Sequence, residues 1–228
     1  MRDELAFPAP EYRIAIVTLD AHAAGPAARA MPRLSLDFPG LVVTVHAAAE
    51  WGSDPAALDD ARQAVDRADM VVASLLFLEE HVRAIVPNLA AARDRADAVI
   101  GLISDAAVVK QTRLGDLDMA APPTGLGKLM KRLRGSSKPG SASGAKQMAM
   151  LRRLPRILRF LPGKAQDLRA WFLTMQYWLG GSDDNIEQMI RFLLSRYARN
   201  ADWHGRPAAL PVEYPEVGLY HPELAARI

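Results

Sequence analysis

Hydrophobic positions in the first half of the chain follow two rhythms. Four short runs, RIAIVTL (13–19), LVVTVHA (41–47), MVVASLLF (70–77) and AVIGLIS (98–104), are almost continuously apolar and rich in Val and Ile. Runs without polar alternation suit strands that are covered on both sides, as in a parallel sheet. Between them the period lengthens to that of a helix. DPAALDDARQAVDRAD opens on Asp54, an N-cap residue type, and Pro55, which suits a first helical position. Its Ala57, Leu58, Ala61, Val65 and Ala68 then recur on one face. EEHVRAIVPNLAAARDRAD predicts a second helix, with Pro87 expected to kink or interrupt it. This strand–helix–strand order predicts right-handed crossovers and an open α/β sheet.

Beyond residue 104 the pattern yields no further convincing strand. GSSKPGSASG (135–144) reads as a flexible loop between two basic amphipathic pieces. DLRAWFLTMQYWLGG and SDDNIEQMIRFLLSRYA then resume a helical period. In the second, Ser182 or Asp183 is the expected N-cap, and Ile186, Met189, Ile190, Leu193 and Leu194 share a face. From Asn200 onward the chain is punctuated by proline and expected to be extended. The predicted class is therefore α/β. An open, mostly parallel sheet with flanking helices occupies 1–117, a basic loop and helical subdomain 118–199, and a proline-rich linker 200–228.

Composition narrows the chemistry. The chain has 228 residues and no cysteine, which excludes disulfides, thiolate metal ligands and a cysteine nucleophile. The sequence shows neither a signal-peptide run nor an apolar stretch of membrane-spanning length, so a soluble, cytoplasmic protein is expected. The net charge of +2 conceals a segregation, because residues 128–169 hold twelve basic side chains against the single acid Asp167. Within that segment Arg152, Arg153, Arg156 and Arg159 recur at helical spacing opposite Leu151, Leu154, Leu158 and Leu161. Such a face suits docking to a partner or to an anionic membrane surface, and also a solvated or intramolecular docking face. With Phe160 its only aromatic between residues 151 and 164, the run lacks a base-stacking platform, and a nucleic-acid partner is not expected.

Two clusters are candidates for a ligand rim. Thr18, Asp20 and His22 follow the first strand, at the carboxyl end where α/β sheets hold ligands. The alternative is that Asp20 and His22 simply cap the following helix or close the loop. Only Gly25 is present nearby, so neither a dinucleotide fingerprint nor a phosphate loop is formed. Glu79, Glu80 and His81 follow the third strand and offer proton or metal chemistry. Neighbours on a helix point apart, however, and acids in a first turn are also explained by the helix dipole. Trp171, Phe172, Tyr177 and Trp178 have the spacing of core residues. No complete catalytic set or resident metal site is predicted.

Five blocks, YRIAIVTLDAH, ADMVVASLLFLEEHV, AVIGLISDAAVVKQTRLGDLDM, WFLTMQYWLGGSDDNIEQMIRFLLSRYA and YPEVGLYHP, together resemble the amino-terminal region of the H subunit of magnesium chelatase. The resemblance covers essentially the whole chain in the same order, and YPEVGLYHP is also similar to the cobaltochelatase large subunit. It implies a role in (bacterio)chlorophyll synthesis, within a ligase that inserts Mg²⁺ into protoporphyrin IX. It further implies as partners the rest of the H subunit and two ATPase-type subunits, which bind the ATP. Metal insertion is implied in a large region beyond this segment, so no catalytic residue is carried onto this chain. Pro215 and Pro222 then read as rigid spacers toward that region. Asp20, His22, Glu79 and His81 stand as candidates for a rim facing porphyrin or a sister domain. A docking module at a partner or a membrane surface, or a cobaltochelatase-type fragment, is the alternative.

Overall fold

In the computed structural model, residues 11–122 and 163–212 are described. β1 (Tyr12–Thr18), β2 (Leu41–Ala47), β3 (Met70–Ser74) and β4 (Ala98–Leu102) are parallel, and the short β5 (Arg113–Leu114) and β6 (Leu117–Asp118) add an antiparallel edge. The sheet order is β2-β1-β3-β4-β5-β6. Every residue of β3 and β4 is buried, as their unbroken apolar runs require. The α/β class expected from the sequence is the class observed.

Among the described residues, six α-helices surround the sheet: α1 (Ala24–Asp37), α2 (Pro55–Arg67), α3 (Glu79–Ala92), α4 (Ala106–Val109), α5 (Lys164–Gly180) and α6 (Asp183–Tyr197). α2 starts where the sequence places it, with Asp54 Oδ1 accepting from the Ala56 N–H at 2.9 Å and Pro55 next in line. α6 is capped by Ser182, whose hydroxyl accepts from the Asn185 N–H. Two details differ from expectation. α3 runs unbroken through Pro87, because Pro87 and Arg83 lie on the exposed side, where a carbonyl deprived of its donor meets solvent. Strands also occur beyond residue 104. β5 and β6 turn on Gly115 at φ +55° and are too short to carry a periodic signal.

From β1 the chain adds β2 on one side, then returns to add β3 and β4 on the other. Right-handed crossovers then place α1 on one face and α2 and α3 on the opposite one. The α2/α3 face packs Ala15, Val17, Val71, Ala73 and Val99 against Ala61, Val65, Ile85 and Leu89. The other face packs Ile14, Ile16, Val72, Ile100 and Leu102 against α1, α5 and α6, in a core that includes Trp171, Phe172 and Tyr177. The two late helices thus share one core with the sheet. The Trp171 indole N–H donates to the Gly101 carbonyl of β4 at 3.0 Å. Asp167 of α5 accepts from the Asp116 N–H of the β5–β6 hairpin at 2.9 Å and from the Tyr197 hydroxyl of α6 at 2.8 Å. Burial and the Asp167 carboxylate together raise the pKa of that hydroxyl. Residues 204–212 then cross α5 and α6, where Asn185 exchanges two hydrogen bonds with the Val212 backbone.

Candidate functional site

The reversal of strand order lies between β1 and β3, and in sheets of this kind the crevice at the carboxyl ends of such strands is where ligands sit. Here it holds a cleft of about 260 Å³ on the α1/α5/α6 side. Thr18, Asp20, His22 and Ala23 border it from the end of β1, and Leu75 from the end of β3. Trp178, Gly181 and Ile186 close it from the junction of α5 and α6. The walls are thus mainly apolar, with polar groups at the rim and the floor.

Thr18 and Ser74 are partners in the β1–β3 register, 1% and 0% exposed. Both fall on the α1/α5/α6 face by strand alternation, and neither hydroxyl has a hydrogen-bond partner. Leu75 follows with φ +60°, and Ile103, at the matching end of β4, has φ +37°. The Leu75 N–H donates to the Ile103 carbonyl at 3.0 Å. Left-handed backbone at non-glycine residues is unfavourable and concentrates where a fold holds a special geometry. Only Thr18 of this group is singled out by the sequence. Ser74 and Leu75 sit inside an apolar run, and their one visible signal is a serine ending MVVAS.

Asp20 caps the short helical turn Ala21–Ala23 by accepting from the His22 N–H at 2.9 Å, and the His22 ring Nδ1 lies 2.8 Å from the same oxygen. The capping alternative therefore holds for Asp20, while both residues also border the cleft. The His22 side chain is 93% exposed. The other pair lies apart from them. Glu79 is in the first turn of α3, exposed and ion-paired with Arg83, and His81 is buried edge-on against Trp51 on the α2/α3 face. Neither residue borders the cleft. Within the described residues, no group of three or more His, Asp or Glu is placed to hold a metal ion, and no helix is long and apolar enough to cross a membrane. Arg152, Arg153, Arg156 and Arg159 lie outside the described residues.

Comparison with known proteins adds a second line. A family profile described as "Domain of unknown function (DUF3479)" matches residues 13–172. The chain is 61% identical over 230 residues to the magnesium-chelatase H subunit of Cereibacter sphaeroides, a match covering 100% of this chain and 19% of that protein. It is 59% identical over 217 residues to the magnesium-chelatase H subunit of Rhodobacter capsulatus, covering 95% of this chain and 18% of the relative. The chloroplastic ChlH subunit of magnesium chelatase from Oryza sativa subsp. indica is 28% identical over 156 residues, covering 68% and 11%. This chain spans about a fifth of the length of the two bacterial relatives. It belongs to the DUF3479 family, and over its whole length it is similar to the amino-terminal region of the magnesium-chelatase H subunit.

Proposed function

We propose that this chain works as the amino-terminal part of a magnesium-chelatase H subunit, supporting ATP-dependent insertion of Mg²⁺ into protoporphyrin IX during (bacterio)chlorophyll synthesis. The observation that carries this reading is the 61% identity running through the entire chain. Identity at that level over the whole chain makes replacement of its counterpart by this domain the expected outcome. Porphyrin and Mg²⁺ are substrates of the assembled enzyme, and ATP belongs to its motor subunits. This domain's part is accessory, positioning the remainder of the large subunit in the complex. Insertion demands that a hydrated Mg²⁺ shed tightly held water, which makes coupling to a motor reasonable.

The test is a chimera. The matching region of the Cereibacter sphaeroides protein is replaced by residues 1–228, and Mg-protoporphyrin formation is followed with both ATPase subunits, ATP and Mg²⁺. A rate comparable to that of the parent protein is expected. A folded chimera that binds porphyrin and forms no Mg-protoporphyrin would refute the reading. A second reading, favoured by the twelve basic residues of 128–169, is that this stretch docks an acidic partner or an anionic membrane surface. Association should then weaken steeply from low to physiological salt, and a salt-independent affinity would sink it.

A further inference from the structure

Among the described residues, the buried serine and threonine hydroxyls elsewhere have partners. Thr174 Oγ1 donates to the Ala170 carbonyl, Ser195 Oγ to that of Phe192, and Thr112 Oγ1 accepts from the Gly101 N–H. Thr18 and Ser74 do not, although valine or alanine would fill the same volume at no polar cost. Immediately before them on the opposite face, Val17 and Ala73 are apolar. The two unpartnered hydroxyls therefore stand side by side at the one place in the sheet where a ligand crevice is expected, and Thr18 borders the open cleft.

We propose that this cleft binds a small organic carboxylate, its oxygens accepting from the Thr18 and Ser74 hydroxyls and its apolar body lying on Leu75, Trp178 and Ile186. The sign of the charge follows from the surroundings. Ala23, at the start of α1, and Gly181 and Ile186, on either side of the α6 N-cap, border the cleft, so the positive ends of two long helices face it against the negative end of one, α5, whose C-cap is Gly181. Of the acids that would oppose an anion, Asp183 is held by Arg29 through two bonds of 2.5 and 2.7 Å and Asp184 lies 3.7 Å from Arg33, while Asp20 at the rim accepts from the neutral His22 backbone N–H and keeps its charge. The apolar walls disfavour a bare inorganic anion. The volume of about 260 Å³ lies at the small end of ligand clefts. This inference rests on the cleft itself and stands apart from the chelatase reading.

The full chain is titrated with 4-phenylbutyrate, its amide and 4-phenylbutylamine, by calorimetry and by amide chemical shifts. Saturable binding of the carboxylate is expected, with shifts clustered at the ends of β1 and β3 and at the α5–α6 junction. The amide should bind roughly tenfold more weakly and the amine more weakly still. Thr18→Val should weaken the carboxylate roughly tenfold while raising the melting temperature by about 2–4 °C, because it removes an unsatisfied buried hydroxyl. Thr18→Ser, which keeps the hydroxyl, should retain binding. Several results would overturn the proposal: no binding of 4-phenylbutyrate, equal binding of the three probes, unchanged affinity in Thr18→Val, or a lowered melting temperature in that variant.

Discussion

The two faces of the sheet are built from helices with different histories. α2 and α3 come from consecutive crossovers, and they seat on small β residues such as Ala15 and Ala73, with further alanines, among them Ala61 and Ala92, in the same core. Their contacts rest on backbone acceptors and a neutral amide. Arg62 Nε donates to the Ala84 carbonyl, Arg95 to the carbonyls of Val65 and Ala68, and Asn88 to Asp66. On the other face only α1 arrives by crossover, and α5 and α6 return from beyond residue 163. That face is filled by large rings and sewn by ion pairs between α1 and α6: Arg29–Asp183, Arg33–Glu187 and Arg191–Asp37. A pair brought back later closes the sides but leaves the carboxyl edge open, and the cleft lies there. The α2/α3 side is not sealed either, since a groove of about 300 Å³ lies between α2 and the β1–β2 edge, lined by Thr44, His46, Asp60 and Arg67. Unpaired nitrogens also occur on the α2/α3 face, at Trp51 and His81, but those rings seal against each other at 5.6 Å.

The harshest way to break this contrast is to remove the returning pair. A chain ending at residue 122 would expose Ile14, Ile16, Ile100 and Leu102, all buried here by the second layer. Loss of a cooperative thermal transition and strong binding of an apolar dye are expected. A sharp transition in the shortened chain would show that the α2/α3 face and α1 suffice. Next in size is Gly101→Ala. A Cβ there would stand 2.5 Å from the Val108 carbonyl oxygen and 2.9 Å from the Val109 Cα, both backbone atoms that cannot swing aside. A loss of about 3 kcal/mol is expected in urea denaturation, at the upper end of ordinary overpacking. A loss within experimental error would mean that α4 shifts freely.

The contrast also explains what the sequence could and could not tell. β1 to β4 and α2 were legible because each element is bounded by its own local signals, such as Asp54–Pro55 before α2. Burial on both faces also leaves unbroken apolar runs in β3 and β4, although the edge strand β2 is only half-buried, with Thr44 exposed. Two-residue strands such as β5 and β6 depend on β4 and the Gly115 turn, and a periodicity argument does not reach them. The position of Asp20 and His22 at the carboxyl end of β1 was legible, since following a parallel strand is enough to place them, and they border the cleft there. Glu79 and His81 satisfied the same rule yet stand apart from the cleft, because α3 belongs to the other face and His81 turns into its core. Ser74 and Trp178 were not separable from ordinary core positions. Trp178 joins Thr18 and Leu75 around the cleft because α5 returns to the sheet from a distance, and no local pattern records that return.

A smaller effect tests how the returning pair is fastened. Trp171→Phe keeps an aromatic ring against Phe172 but removes the N–H that binds the Gly101 carbonyl. A cost of about 1–2 kcal/mol is expected, with the Thr112 hydroxyl at 3.4 Å a poor substitute donor. Hydrogen exchange should quicken in α5 and leave α2 unchanged. Equal acceleration in both helices would mean that the two faces open as one unit and that the contrast has no dynamic content.

The gentlest lever is acid, and its sign follows from the carboxylates of the α1–α6 seam. The Arg191 guanidinium beside Asp37, and that of Arg29 beside Asp183, hold both carboxyl groups below the ordinary value of 3.8. A group whose pKa is lower folded than unfolded contributes stability above its unfolded pKa, and loses it as pH falls through the folded value. The seam should therefore hold at neutral pH and loosen progressively below about pH 4. Both carboxylates are solvent-exposed, so the effect is modest and is reduced further by added salt. The α2/α3 contacts made by Arg62 and Arg95 go to carbonyl oxygens, which do not titrate. Hydrogen exchange at pH 3, corrected for the intrinsic rate, should thus show α6 losing protection before α2. Simultaneous loss would mean that the ion pairs do not fasten the seam, leaving the aromatic core and the Trp171 bond to hold the returning helices.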